Sequence, residues 1–302
     1  GCPVLVGPSC PHDVLRQQSV ELSVSEYLTP SDIIDNIPSA EEENSNVDYD
    51  VENSHIAAAA VKIVASTSPS LKELLTDEII QKGTSERPPC RFEELSIQNV
   101  VTTNNVKLQV ILDVAHNPPA MKYLIQKLRA TYPGKRYRFV VGMSADKDLG
   151  LCGRMLLDAV ASGGGGPSSL HLVEATHPRA ATLQAMMDAV PKLQDAHHGE
   201  TISVGDQVRH ALLLAAGASS AAAAGQEEEI VIVCGSVFLM ADARAALGYD
   251  EPRDSNVINE VAGCNLLSGQ ENFGNTDPEK VLMERAARLY KQSPTTSPPA
   301  DK

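Results

Sequence analysis

Residues 110–120, with the sequence VILDVAHNPPA, contain the strand-to-helix junction that decides the fold of this chain. The segment begins with a run of apolar residues, which is typical of a buried strand. Asn117 followed by Pro118 combines a helix N-cap residue with a first-turn proline. Gly134 then follows the helical pattern, where a helix commonly stops. The stretch therefore predicts a strand, a short polar loop and a helix over residues 118–131.

Strand and helix patterns alternate from about residue 107 onward, which is the signature of βαβ units around a mostly parallel sheet. The predicted strands are 109–113, 136–143, 169–175, 200–204 and 229–234. The predicted helices are 118–131, 149–161, 179–190, 206–218 and 236–247. The fold class is therefore α/β, with a Rossmann-like domain in the C-terminal part of the chain.

The first hundred residues have a different pattern. One short strand at 3–7 accompanies predicted helices near 11–22, 51–65 and 71–82, which leaves helices without enough strand partners. The chain also starts with Gly rather than Met, directly before an apolar run. We interpret this region as the tail of an α/β domain whose beginning lies upstream, and the sequence as a fragment.

Three segments interrupt or follow the alternation. Residues 162–169 (SGGGGPSS) and 217–229 (GASSAAAAGQEEE) have low complexity and are interpreted as surface insertions. The polar tail contains one helical pattern, at 278–292. The predicted organisation is a first domain over residues 1–95, a second domain over 96–249 and a tail over 250–302.

Composition narrows the classes of function. Lys and Arg number 25 against 39 Asp and Glu, giving a formal net charge of −14, which disfavours a nucleic-acid partner. No apolar run approaches the ~20 residues of a membrane span. The six cysteines are scattered without a Cys-x-x-Cys pair, and we interpret them as reduced thiols of a cytoplasmic protein. No metal site follows from them.

The loops that follow the predicted strands should meet at one edge of the sheet, because parallel strands end on the same side. They are 113–117, 144–148, 176–179, 205–206 and 235–236. Each polar residue has a plain structural explanation when taken singly: Asn117 as a helix cap, His116 as a loop histidine, Lys147 and Asp148 as a solvated turn. Together they favour a site for an anionic ligand.

Two phosphate-binding motifs are absent from the sequence. It contains neither GxxxxGK[ST] nor GxGxxG, and its one Gly-Lys pair, Gly134 and Lys135, lies between a helix and a strand. The chain therefore lacks a phosphate cradle of its own.

Residues 110–120 and 140–149 (VVGMSADKDL) resemble the C-terminal domain of the Mur ligase superfamily, specifically of dihydrofolate synthase/folylpolyglutamate synthase. Further similar segments follow the order of the chain. They are 1–8 (GCPVLVGP), 50–57 (DVENSHIA), 89–93 (PCRFE) and 232–236 (IVCGS). The resemblance covers residues 1–248 apart from the insertions.

This resemblance implies an ATP-dependent ligase that joins glutamate to a pteroate or folate carboxylate through an acyl phosphate. The first domain would be the C-terminal portion of the family's central ATP-binding domain, lacking its P-loop. ATP and Mg²⁺ are the implied cofactors, with most Mg²⁺ ligands upstream of residue 1 and no metal ligand assigned within the chain. The fragment alone is expected to be inactive, and the parent to be a monomer in the cytoplasm or the mitochondrion.

The resemblance also assigns the nucleotide-binding residues. It places Asn53 at the adenine and Asp113 at the ribose. Arg91 is expected to contact the nucleotide across the domain hinge, although an interdomain ion pair is the alternative. His116 is expected near the phosphates or the incoming glutamate, and is one of two predicted catalytic residues.

The amino-acid side of the implied site contains Lys147, the second predicted catalytic residue, and Ser236. Asp148 is expected to hold Lys147 in place. His177 and Arg179 are on the same rim. Two residues depart from the family pattern, since Val114 and Cys90 stand where glycines are usual.

Two alternative functions remain open from the sequence. One is a catalytically inactive binding or scaffold module with the same fold. The other is a fragment of a cell-wall Mur ligase, which would attach an amino acid to a nucleotide-linked sugar. The sequence also leaves open whether the first glutamate is added or a glutamate chain is extended.

Overall fold

The computed structural model describes residues 2–35, 37, 49–98, 107–162, 169–197, 207–224 and 229–249. The predicted strand 200–204 and the predicted helix 278–292 lie outside these residues. The chain divides into two compact units, Gly1–Pro88 and Pro89–Lys302. The division precedes the predicted boundary at residue 95 because a strand that starts at Glu93 pairs within the second unit.

The first unit contains one small sheet and a set of helices. Strand β1 (Val4–Leu5) pairs in parallel with β2 (Tyr27–Leu28). Helix α1 (His12–Glu21) connects them, and a 3₁₀ turn follows at Pro30–Asp32. The remaining helices are α2 (Tyr49–Ser66), α3 (Pro69–Leu74) and α4 (Asp77–Ser85).

The predicted helix 71–82 is wrong, since two helices occupy this segment. Helix α3 ends at Leu74, and Thr76 then adopts an extended backbone as the N-cap of α4. Its hydroxyl oxygen accepts a hydrogen bond from the Ile79 N–H at 3.4 Å. The local cap thus divides a segment whose apolar spacing is compatible with one helix.

The second unit contains a five-stranded sheet with the order β3-β4-β7-β5-β6. Its strands are β3 (Glu93–Gln98), β4 (Lys107–Asp113), β5 (Arg136–Val141), β6 (Leu170–Leu172) and β7 (Glu229–Cys234). Only the β3–β4 pair is antiparallel. The predicted α/β class with a mostly parallel sheet is confirmed.

The helices of this unit mostly match the sequence pattern. They are α5 (Pro118–Thr131), α6 (Leu149–Ser162), α7 (Leu183–Ala189), α8 (Lys192–Ala196), α9 (Gln207–Ala224) and α10 (Val237–Ala246). Helix α7 starts later than predicted because Thr182 caps it, accepting from the Ala185 N–H at 3.1 Å. Helix α9 continues into the segment interpreted as an insertion, since alanine is the best helix former.

Both faces of the sheet are covered. Ile111, Phe139 and Ile232 pack with helices α5 to α8 on one face. Val110 and Val231, one position away along their strands, pack with α9 and α10 on the other. This alternation follows from the two-residue period of a strand, and each fully buried aliphatic side chain contributes about 1.5–3 kcal/mol. No helix within the described ranges has the length and hydropathy needed to cross a membrane.

The chain turns tightly where β5 and β7 end. Gly235 has φ +113°, and a Cβ placed there would lie 2.6 Å from the carbonyl oxygen of Gly142. A larger residue would therefore push the two strand ends apart. The glycine after β7 lets the two loops at the carboxyl edge of the sheet lie side by side.

Candidate functional site

The loop after β4 is connected to the segment that precedes β3. Asp113 accepts hydrogen bonds from the Phe92 N–H through Oδ2 and from the Ala115 N–H through Oδ1, both at 2.8 Å. The Val114 N–H donates to the carbonyl oxygen of Cys90 at 2.9 Å. Asp113 therefore organises the backbone around two loops, and its assignment to the ribose stays a prediction.

His116 lies directly before helix α5, partly buried. Its Nδ1 is 2.9 Å from the carbonyl oxygen of Val114. Because a carbonyl oxygen only accepts, Nδ1 carries a hydrogen, and Nε2 of the neutral ring is the unprotonated nitrogen. Asn117 caps α5 by accepting from the Ala120 N–H at 2.9 Å. The geometry thus fixes the tautomer of the predicted catalytic histidine.

Lys147 and Arg179 share one oxygen of Asp146. Lys147 Nζ lies 3.1 Å and Arg179 Nη2 lies 2.8 Å from Asp146 Oδ2. The Lys147 side chain is 31% exposed to solvent, and the Arg179 side chain is 24% exposed. Two cations that share one carboxylate oxygen therefore lie at a surface that a ligand can reach.

Burial by itself raises the pKa of the Asp146 carboxyl. The hydrogen bonds and charges of Lys147 and Arg179 outweigh this effect and hold that pKa below its ordinary value of 3.8. Asp146 is therefore ionised at neutral pH.

The prediction that Asp148 holds Lys147 in place is wrong. Asp148 Oδ1 accepts a hydrogen bond from the Leu151 N–H at 2.8 Å, at the start of α6. Asp146 makes the ion pair instead. Two aspartates flank Lys147 in the sequence, and only the conformation of the turn decides which one pairs with it.

Ser236 is buried at the N-terminus of α10. Its Oγ lies 3.1 Å from Ser144 Oγ and accepts from the Phe238 N–H at 3.2 Å. The carbonyl oxygen of Ser144 in turn accepts from the Lys147 N–H at 3.2 Å. The structure therefore brings the loops of Lys147 and Ser236 together, while the contact of Ser236 with an amino acid stays a prediction.

An aromatic stack supports the neighbouring part of the rim. The rings of His177 and Phe238 lie parallel within 3° with centroids 3.5 Å apart, and the Arg179 guanidinium carbon is 5.5 Å from the Phe238 ring centre. The hydroxyl and N–H of Thr176 both donate to the carboxylate of Asp242. Sequence patterns did not identify Phe238 or Asp242, because both lie within a helix.

Arg91 lies between two residues with left-handed backbone conformation. Cys90 has φ +62° and Phe92 has φ +50°, a region that favours glycine. Glycine adopts this conformation without a steric penalty, whereas Cys90 carries a side chain. Burial raises the pKa of the Cys90 thiol to about 11. Arg91 itself is exposed, and no carboxylate in the described part of the chain lies within ion-pair distance of it.

Asn53, the remaining predicted site residue, is exposed on α2 of the first unit. The other five, Arg91, Asp113, His116, Lys147 and Ser236, belong to the second unit. Over the described ranges no group of three or more His, Cys, Asp or Glu side chains is arranged to hold a metal ion.

The family comparison concerns the second unit. A protein-family profile described as "Mur ligase, glutamate ligase domain" matches residues 95–237. This range contains the sheet and the loops at its carboxyl edge. No curated protein sequence matches the chain.

Several solved structures share the fold. Folylpolyglutamate synthase of Mycobacterium tuberculosis, complexed with ADP and AMPPCP, has a TM-score of 0.57 and 19% identity, covering 83% of this chain and 56% of that one. FolC of E. coli, in complex with DHPP and ADP, has a TM-score of 0.51 and 23% identity, covering 81% and 53%. The chain thus spans about half the length of these proteins.

A third similar structure is the ligand-free bifunctional folylpolyglutamate synthase/dihydrofolate synthase of Yersinia pestis. Its TM-score is 0.50 at 24% identity, with 82% of this chain and 54% of that chain covered. At these identities the likeness establishes the fold.

Proposed function

We propose that the chain belongs to an ATP-dependent ligase, because residues 95–237 match the profile of the Mur ligase glutamate ligase domain. The enzyme joins L-glutamate to dihydropteroate or to folate and its polyglutamates, through an acyl-phosphate intermediate. The fold shared with folylpolyglutamate synthases supports the folate branch of the family.

One observation about the site carries this proposal. Lys147 and Arg179 remain partly exposed around a single carboxylate oxygen, in a chain whose formal net charge is −14. Glutamate has two carboxylates, and the acyl phosphate and ATP are anions as well. Two cationic side chains that remain accessible within an acidic chain supply the hydrogen-bond donors that such substrates require.

The proposed reaction has two steps. A carboxylate oxygen of the pteroate or folate attacks the γ-phosphorus of ATP, and the bond to the β-phosphate oxygen breaks to release ADP. The amino nitrogen of glutamate then attacks the acyl carbon, the bond to the phosphate oxygen breaks, and the amine loses a proton. Inorganic phosphate leaves with the electron pair of that bond.

Residues of this chain have defined tasks in the proposal. Arg91 binds the nucleotide phosphates, and Lys147 binds a glutamate carboxylate. Unprotonated Nε2 of His116 accepts the proton that the amine loses, or donates to phosphate oxygen when protonated. Asp113 binds the ribose, and Ser236 lines the amino-acid side. Mg²⁺ would neutralise phosphate charge and is assigned to residues outside this chain.

The test compares the complete protein that contains this chain with the 302-residue chain itself. Incorporation of labelled glutamate is measured with ATP, Mg²⁺ and either dihydropteroate or a folate. We expect incorporation by the complete protein and none by the chain alone, because the chain lacks a phosphate cradle. The substrate that works also distinguishes first-glutamate addition from chain extension.

The alternatives predict other outcomes of the same assay. Incorporation only into a nucleotide-linked sugar acid would identify a cell-wall Mur ligase. A complete protein that incorporates no glutamate into any of these acceptors would identify an inactive binding module. Turnover by the 302-residue chain alone would contradict the interpretation that part of the site lies outside it.

A further inference from the structure

Arg91 is exposed, yet the backbone on both sides of it is held firmly. Cys90 and Phe92 both adopt positive φ, which is unfavourable for residues that have a side chain. Two such residues around one exposed arginine persist only where surrounding contacts enforce them. The contacts that enforce this turn therefore determine where Arg91 is presented.

The first contact is an ion pair between Glu93 and Arg244. Arg244 Nη1 lies 2.7 Å from both carboxylate oxygens of Glu93, and their side chains are 10% and 22% exposed. Glu93 Oε2 also accepts from the Cys90 N–H at 2.8 Å. The guanidinium carbon of Arg244 lies 4.1 Å above the centre of the Tyr249 ring. The pair thus joins the turn to helix α10.

The second contact holds the other side of the turn. Asp113 accepts from the Phe92 N–H at 2.8 Å, and Lys127 Nζ lies 4.8 Å from the centre of the buried Phe92 ring. Cys90 and Phe92 are both buried, whereas Arg91 is exposed. The turn therefore exposes one side chain and anchors the two beside it.

Mostly buried ion pairs add little net stability, because desolvation offsets much of the attraction between the charges. Their effect is chiefly on geometry, since short hydrogen bonds between charged groups fix the distance between the two side chains. Because Glu93 bonds both the Cys90 N–H and Arg244, the pair is suited to fixing the turn around Arg91.

We propose that Glu93 and Arg244 are positioning residues for Arg91, and that they hold its guanidinium where it contacts the nucleotide phosphates. This inference rests on the proposed function for the role of Arg91. The proposal assigns no contact with the nucleotide to either residue.

The test measures the equilibrium affinity for ATP, with Mg²⁺, of the complete protein. Glu93→Gln keeps an acceptor for the Cys90 N–H and removes the charge that binds Arg244. We expect the affinity for ATP to fall about tenfold, which corresponds to about 1.4 kcal/mol. Arg244→Lys keeps the positive charge with poorer geometry and should give a smaller loss in the same direction.

A double variant separates positioning from general stabilisation. Arg91→Ala with Glu93→Gln should bind ATP no more weakly than Arg91→Ala alone, because the pair acts through Arg91. Glu229→Gln is the matched control, since it breaks the buried Glu229–Arg138 pair at the other edge of the sheet. It should lower Tm and leave the affinity for ATP unchanged.

Unchanged affinity in Glu93→Gln and Arg244→Lys, or losses that add fully to that of Arg91→Ala, would overturn the proposal. So would an equal loss of affinity in Glu229→Gln. The glutamate assay reports separately on the proposed function. If the complete protein adds no glutamate, the proposed ligase activity is refuted. If its affinity for ATP nevertheless depends on Glu93 only when Arg91 is present, the positioning role of Glu93 and Arg244 is still supported.

Discussion

The two edges of the five-stranded sheet each place two cations beside one carboxylate, yet they differ in exposure. At the amino edge, Glu229 binds Arg138 through two contacts of 2.7 and 3.2 Å, and Arg136 lies farther away at 3.7 Å. The Arg138 and Glu229 side chains are 5% and 1% exposed. At the carboxyl edge, Asp146 faces two cations that stay accessible.

Under the proposed function, burial rather than the mere presence of charge separates a structural cluster from a binding one. In the buried Glu229–Arg138 pair, the donors and acceptors point at each other and not at solvent. Cations that share one oxygen near solvent keep donors available for a ligand. The loops after parallel strands meet at the carboxyl edge, which is also where ligands bind in such folds.

The largest expected effect is on stability at the amino edge. Arg138→Met leaves the Glu229 carboxylate buried without its bidentate partner and should cost about 3–5 kcal/mol of the free energy of unfolding. Arg179→Met at the carboxyl edge should cost at most about 1 kcal/mol, because that pair is partly exposed. Urea unfolding of the 302-residue chain measures both. Equal losses of unfolding free energy in the two variants would contradict the difference between the two edges.

The next effect is catalytic. In the complete protein, His116→Ala should lower kcat by about a hundredfold, in the range of a lost proton-transfer group, while Tm stays within a few degrees. Arg138→Met is expected to do the reverse, because it should lower stability through a residue that has no assigned catalytic role. An unchanged kcat would leave His116 as an ordinary loop residue, and a large fall in Tm would assign it to the fold.

A smaller effect is expected for Arg91. Arg91→Ala should lower kcat/KM for ATP by about ten- to a hundredfold, equivalent to about 1.5–3 kcal/mol for a charge-assisted hydrogen bond. Arg91→Lys should recover only part of this, because lysine lacks the planar two-pronged contact. Steady-state kinetics with ATP varied at saturating glutamate measures both variants. If both match the parent, Arg91 has no contact with the nucleotide.

The smallest effect is a pH dependence at the carboxyl edge. The pKa of folded Asp146 is lowered, so its ionised form stabilises the fold at pH values above the ordinary pKa of 3.8. This stabilisation is lost as the pH falls through the folded pKa. The unsubstituted chain should therefore have a higher Tm than Asp146→Asn at neutral pH. This difference in Tm should shrink below about pH 4. A difference that grows on acidification would contradict the assigned charges.

The sequence predicts the elements that carry their own local signals. Helix α5 has the predicted bounds because Asn117, Pro118 and Gly134 mark its ends. Strand β7 also has the predicted bounds, since a run of six buried residues lies between a polar segment and a glycine. Both cases depend on residues within a few positions of each other.

Elements that depend on distant partners were missed. Strand β3 is recognisable only from its antiparallel pairing with β4. The contact between Glu93 and Arg244 joins residues 151 positions apart, so no local pattern identifies it. The choice of Asp146 rather than Asp148 as the partner of Lys147 likewise depends on the turn after β5.

The most direct test of the central claim, that the carboxyl edge of this sheet binds the substrates, is a crystal structure of the complete protein with an ATP analogue and glutamate. We expect glutamate carboxylate density beside Lys147, and phosphate density within hydrogen-bond distance of Arg91 or His116. Ligand density that contacts none of these three residues would contradict the account.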